Sequence, residues 1–314
     1  MRAAVLLNPG AGAVASGDLT PEAITAAFAG VGVEAKVELP PAGQMAERAR
    51  AAARTFDAVV AAGGDGTVRC VAAALAGSGT PLGVLPLGTL NHFAKDLGIP
   101  TDLDGAARVV GAGVVRPLDL GEVNGEMFVN NAVLGFYPLV VEARDRERKR
   151  TGRGKWLAAA WALAKVLPRV PALRFRVTVE GERVSRKTRL VFIGNNEYEM
   201  NVFTAGARNR LDSGDLYLYV ADCPDLPSLL GLALYALVRD ARRSPRFESW
   251  TAPELTVECS RRRLHVVLDG EVFHLAPPLV FRNRSRVLRV IVPGETAARD
   301  EVSSTTSSNE RRSA

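Results

Sequence analysis

Cysteine, histidine and aromatic residues are all scarce in this chain of 314 residues. The three cysteines, Cys70, Cys223 and Cys259, are odd in number and widely spaced, so they suit neither a disulfide framework nor a zinc site. A reducing cytoplasm is the expected compartment. The three histidines, His92, His265 and His274, show no metal-ligand spacing in sequence and are expected to be satisfied or exposed. Neither Ser185 nor Cys70 has an evident base beside it, which leaves hydrolase chemistry with little support. The longest apolar stretches, Trp156–Ala164 and Leu229–Val238, fall short of the ~18 residues that span a bilayer. At the N-terminus a short apolar run meets Asn8-Pro9 after a single Arg2, which reads as a buried strand rather than a signal peptide. A soluble protein that touches membranes only peripherally is the expectation.

The composition is globular, with 47% hydrophobic and 24% charged residues, and with aromatics at 6% alanine and valine must fill much of the core. The length favours two hydrophobic cores. Net charge is +6, yet residues 141–190 alone hold 15 Lys/Arg against 5 Asp/Glu. Such a patch suits anionic lipid headgroups or nucleic acid, whereas a charge cluster taken by itself is ordinarily a solvated helix face.

Strand and helix signals alternate through the first third: Ala3–Asn8, a helix opened by Thr20-Pro21, Val33–Leu39, a helix around Gln44–Arg54, Asp57–Ala62, a helix Thr67–Ala76, and Leu82–Leu85. That rhythm predicts a parallel sheet with crossover helices. From about Val114 the runs become short and strand-like, among them Arg174–Glu180, Thr188–Gly194, Asp215–Ala221, Glu254–Cys259 and Leu264–Leu268, which fits antiparallel sheets. Two longer helices are expected near Pro138–Leu167 and Pro227–Arg242. The Ser/Thr-rich tail after Gly294 is expected to be disordered.

Gly63-Gly64-Asp65-Gly66-Thr67 stands between an apolar strand and a helix. Backbone without side chains can approach a phosphate there while helix N–H groups point at it. A carboxylate beside polyphosphate is repelled unless a cation such as Mg²⁺ lies between, so Asp65 reads as a metal or metal-water ligand. Alone, the motif is also compatible with a plain turn whose Asp caps the helix. Two more turns follow neighbouring strands: Asn8-Pro9-Gly10-Ala11-Gly12, and Pro86–Ala94 with Gly88, Thr89 and a capping candidate Asn91. Ligands of open α/β sheets bind where such turns gather.

In the order and spacing of Asn8-Pro9, Gly63–Thr67, Pro86–Ala94, Asp119-Leu120-Gly121, Phe128–Gly135, Leu211–Gly214 and Asp269-Gly270-Glu271, the chain resembles the diacylglycerol kinase catalytic-domain family, which includes bacterial lipid kinases and sphingosine kinases. NAD kinases share the Gly-Gly-Asp-Gly element but not the Pro-x-Gly-Thr-x-Asn block. The resemblance implies a doubly wound nucleotide-binding domain over residues 1–120, a β-sandwich-like lipid-substrate domain over 121–294 whose end returns to the first, a tail over 295–314, and an active site in the cleft between the domains. It implies ATP with Mg²⁺, a membrane lipid such as diacylglycerol as acceptor, and no nucleic acid. ATP contacts fall on Gly63, Gly64, Asp65, Gly66, Thr67, Val68, Arg69 and Cys70 and on Gly88, Thr89 and Asn91. The chain departs from its relatives in carrying Arg69-Cys70 where an Asn-Glu pair is common, and Leu39 where a hydroxyl is usual.

A metal loop of the same family aligns with Arg210, Ser213 and Asp215, with Ser213 standing where a ligand Asp is usual; an ordinary polar turn explains the segment equally well. Asp269-Gly270-Glu271 reads locally as a hairpin turn. Through the resemblance Glu271 becomes the general base for the lipid hydroxyl, with Asp269 as its rival. Two other readings stay open: an NAD kinase, and a nucleotide- or lipid-binding regulator without turnover.

Overall fold

The computed structural model describes residues 1–15, 19–112, 114–143, 172–179, 181–198, 208, 210–221, 227–228 and 247–294. The expected tail, most of both long helices and the basic cluster Arg144–Lys155 lie outside them. The chain divides into two compact units, Met1–Leu118 with the segment from Val287 onward, and Asp119–Arg286.

The first unit is built on strands β1 (Arg2–Leu7), β2 (Glu34–Glu38), β3 (Ala58–Gly63) and β4 (Leu82–Pro86), paired in parallel in the order β2-β1-β3-β4. The end of the chain adds a further parallel neighbour, Val290 pairing with Leu82. β3 and β4 are buried along their whole length and β1 along all but Arg2. Strands covered on both faces need small or branched apolar residues without polar alternation, and Ala-Val-Val-Ala-Ala supplies them. The helices Pro21–Ala29 and Leu103–Ala112 pack on one another, as do Met45–Ala52 and Asp65–Leu75, which makes the unit doubly wound. Thr20 caps its helix through Oγ1 to the Ala23 N–H at 3.3 Å, with Pro21 in the first turn. Because β1 lies between β2 and β3, chain order reverses at β1, and the β1–β3 boundary is the switch point where ligands of such sheets bind.

The second unit is antiparallel. One sheet has the order β12-β11-β10-β7-β14-β15, where β7 is Asn131–Gly135, β10 Leu190–Asn195, β11 Leu216–Ala221, β12 Phe247–Ala252, β14 Leu264–Leu268 and β15 Glu271–Leu275. The other contains β8 (Leu173–Val179), β9 (Glu182–Thr188) and β13 (Glu254–Cys259) with the first part of β16 (Leu279–Ile291). Inward residues of both sheets, including Leu134, Ile193, Leu218 and Val266 from one and Phe175, Val177, Val257 and Phe281 from the other, form a single core. The short runs fitted antiparallel sheets, and the sandwich-like packing is what the family resemblance implied. Two strands the sequence reading left out are long: β5 (Val115–Val123), with its short partner β6 (Glu126–Phe128), and β16. Both run from one unit into the other along the chain. Their charged residues mask the alternation, as in the Arg282, Arg284 and Arg286 series of β16.

Candidate functional site

At the carboxyl ends of β1, β3 and β4 the three turns are tied into one assembly. Asn8 donates its backbone N–H to the Ala62 carbonyl at 2.9 Å and its Nδ2 to Thr67 Oγ1 at 2.8 Å. Leu87 donates its N–H to the Gly63 carbonyl at 2.9 Å. Gly64 and Gly88 touch backbone to backbone: a Cβ on Gly88 would lie 2.6 Å from the Gly64 Cα, and one on Gly63 would lie 2.4 Å from Thr67 Oγ1. Glycine is required at these positions by close approach rather than by a left-handed φ.

The helix Asp65–Leu75 begins one residue past the switch-point strand, with Gly64 as an N-cap that has no capping side chain. Its first intrahelical bond runs from Val68 N–H to the Gly64 carbonyl. The N–H groups of Asp65, Gly66 and Thr67 therefore stand at the open, electropositive end of the helix. Asp65 is a helical residue and not the cap. Its Oδ1 makes a long 3.5 Å contact with the Phe93 N–H. Asn91 does sit at the start of the next helix, but with φ 51° its side chain turns back, accepting from Gly88 N–H at 2.9 Å and donating to the Gly88 carbonyl at 2.8 Å. It stiffens the turn rather than capping the helix. Thr89, beside it, is exposed. Val68 faces the core at 4% exposure, so of the Gly63–Cys70 set its side chain is directed away from any ligand. Arg69 and Cys70 follow it on the helix, both half-buried.

In the second unit the Arg210–Asp215 loop is closed by protein groups. The Ser213 N–H and hydroxyl both donate to Asn196 Oδ1, at 2.8 and 2.7 Å. Asp119, 2% exposed, accepts from the N–H groups of Gly214 at 2.7 Å and Arg286 at 2.8 Å, and its own N–H bonds the Leu211 carbonyl. Asn283 reaches Asp119, Asn195 and the Asp215 carbonyl. Arg210 lies 3.7 Å from Asp212. Burial pushes the neighbouring Tyr217 phenol up, with Glu197 and Asp215 adding to the effect. Mg²⁺ selects several charged oxygens in octahedral array, and among the described residues no group of three or more Asp, Glu, His or Cys ligand atoms converges on this loop. As folded, Arg210, Ser213 and Asp215 do not fit a dedicated Mg²⁺ cage.

Asp269 and Gly270, at φ 48° and 87°, form the two-residue turn of the β14–β15 hairpin, so Glu271 is the first residue of β15. The two carboxylates have different surroundings. Asp269 is buried and accepts from three successive N–H groups, Val129 at 2.7 Å, Asn130 at 2.7 Å and Asn131 at 3.1 Å. Glu271 is exposed. A third buried group, Arg208, holds the same segment through the Val129 carbonyl and Asn130 Oδ1. The sequence reading assigned no role to Asp119, Asn283 or Arg208. Their partners lie as far as 167 residues away, which leaves no local signal to read.

A family model described as "Diacylglycerol kinase catalytic domain" matches residues 2–123. The chain is 30% identical over 251 residues to a diacylglycerol kinase of Bacillus subtilis (strain 168), covering 79% of this chain and 81% of that one. In fold it is similar to the crystal structure of a diacylglycerol kinase from Bacillus anthracis str. Sterne, with TM-score 0.71 and 20% identity over 94% of this chain and 98% of that one. A yeast NADH kinase complexed with NADH shares the fold more distantly, at TM-score 0.53 and 12% identity over 94% and 84% of the two chains. With the matched segment running from β1 through the three tied turns to β5, and four-fifths of the Bacillus subtilis protein aligned, the chain belongs to the diacylglycerol kinase family.

Proposed function

We propose that the protein is an ATP-dependent lipid kinase that transfers the γ-phosphoryl group to the hydroxyl of a membrane lipid such as diacylglycerol. The observation that carries this reading is the joining of the three glycine turns at the sheet's switch point, beside the uncapped N-terminus of the helix that begins with Asp65. Backbone N–H groups of Gly64–Thr67 and of Thr89 hold the phosphates, and the Thr89 hydroxyl adds a donor. Asp65 fits Mg²⁺ held with nucleotide phosphates, a mode that needs only one or two carboxylates. When bound, that ion neutralises charge on the transferring group.

In the transfer, the lipid oxygen forms a bond to the γ-phosphorus while the bond to the β–γ bridging oxygen breaks and ADP leaves. Glu271, whose residue is exposed, accepts the hydroxyl proton, and the Asp269 carboxylate accepts three backbone N–H groups. Asp269 instead shapes the turn. Peripheral contact with an anionic membrane surface belongs to the same proposal; among the described residues no helix is long and apolar enough to cross a membrane.

Incubation of the purified chain with γ-labelled ATP and a total lipid extract, with NAD in a parallel tube, tests the reading. A labelled lipid is the expected product. Label in NAD alone would replace it with an NAD kinase, and ATP binding without any labelled product would replace it with a regulator.

A further inference from the structure

His265 and His274 are nine residues apart in sequence and directly opposite one another in the β14–β15 register. Their ring centroids are 4.4 Å apart. Both project from the outer face of the hairpin, the face on which Val267 and Val272 pack against Val141. Val141 belongs to helical residues 137–143, and its neighbour Glu142 turns its carboxylate to the pair, with Oε1 3.0 Å from His265 Nδ1 and 3.8 Å from His274 Nε2. One ligand atom from each of the three residues lies within 4.8 Å of the others.

The contact between Glu142 and His265 is close, yet Nδ1 of His265 is buried without a hydrogen bond of acceptable geometry. An Nδ1 without its hydrogen and a carboxylate oxygen repel at that distance unless a proton or a cation lies between them. A proton would satisfy one such contact. Two imidazoles and a carboxylate converging from three directions satisfy a cation better.

We propose that Glu142, His265 and His274 form a binding site for a borderline divalent cation of the Zn²⁺ class. Imidazole nitrogen with one carboxylate oxygen selects Zn²⁺, Co²⁺ or Ni²⁺ over Mg²⁺. Tetrahedral bonds of ~2.0–2.1 Å place ligand atoms roughly 3.3 Å apart, close to the 3.0 and 3.8 Å found here. His274, with its side chain 53% exposed, has the freedom to close the remainder, and leaves the fourth position to water. The ion would fasten helical residues 137–143 to the hairpin that carries Glu271 on its first strand residue after the turn.

Titrating the chelator-treated full chain with Co²⁺ tests the site. One equivalent should give the intense visible bands of tetrahedral coordination, and Zn²⁺ should abolish them. His274→Ala and His265→Ala should each weaken binding on the order of a hundredfold or more, since loss even of an outer partner costs ten- to a hundredfold. His92→Ala should leave binding unchanged. Zn²⁺ should raise the melting temperature of the parent and not of His274→Ala. Absence of tetrahedral bands, or parental Co²⁺ affinity in a folded His274→Ala, would reduce the cluster to an ordinary histidine–glutamate ion pair.

Discussion

Backbone N–H groups cluster in both units, and the two units treat them in opposite ways. In the first, Gly64 leaves the N–H groups at the start of the Asp65–Leu75 helix without a capping side chain, and the nearby carboxylate, Asp65, makes a long contact of 3.5 Å. In the second, buried carboxylates take up such donors: Asp269 accepts three and Asp119 two backbone N–H groups at 2.7–3.1 Å. The same chemistry builds a site when its donors face outward and a structural joint when they are internally satisfied.

The largest effect should come from emptying a joint. Asp269→Ala strands three N–H groups in a buried place and is expected to destabilise the protein by about 3–5 kcal/mol, read as a lowered urea midpoint with unchanged slope. A loss below ~1 kcal/mol would erase the distinction between the units. Asp65→Asn, in contrast, should keep the parental urea midpoint and lose several kcal/mol of transition-state stabilisation, seen as a collapse of lipid phosphorylation in the folded protein. Normal turnover would make Asp65 a turn residue.

Next in size, Glu271→Gln should slow lipid phosphorylation roughly a hundredfold with ATP affinity and stability unchanged; parental turnover would remove the general-base assignment. The smallest effect is expected of Gly88→Ala. The added methyl meets the Gly64 backbone, and separating the two turns should cost ~1–3 kcal/mol of overpacking strain, read mainly as weaker ATP binding by calorimetry. Tight ATP binding by this variant would show that the contact of the two turns is not what shapes the cradle.

The strand–turn–helix units of the first third were legible because each is local: β3, its glycine turn and the helix from Asp65 occupy 18 consecutive residues. The Asp269-Gly270 hairpin was legible for the same reason, and its register carried an unread message. His265 lies four residues before Asp269 and His274 four after Gly270, so a two-residue turn must bring them face to face. These histidines have no ligand spacing along the chain, and the hairpin register sets them opposite one another. Glu142, the third member, had no such local cue.

What the sequence by itself determined is therefore the set of short-range devices: buried alanine–valine strands, glycine turns, the Thr20-Pro21 helix start and the Asp-Gly hairpin. Each follows from steric and hydrogen-bonding rules acting over a few residues. Only the tertiary structure decided which carboxylates take up several backbone N–H groups. It set Asp119 against the Arg286 N–H across 167 residues, Asp269 against the Val129–Asn131 segment across some 140, and Ser213 against Asn196 in a loop that holds itself closed. A carboxylate looks the same in sequence whether its surroundings are buried N–H donors or open solvent, and only folding supplies the surroundings that settle its role.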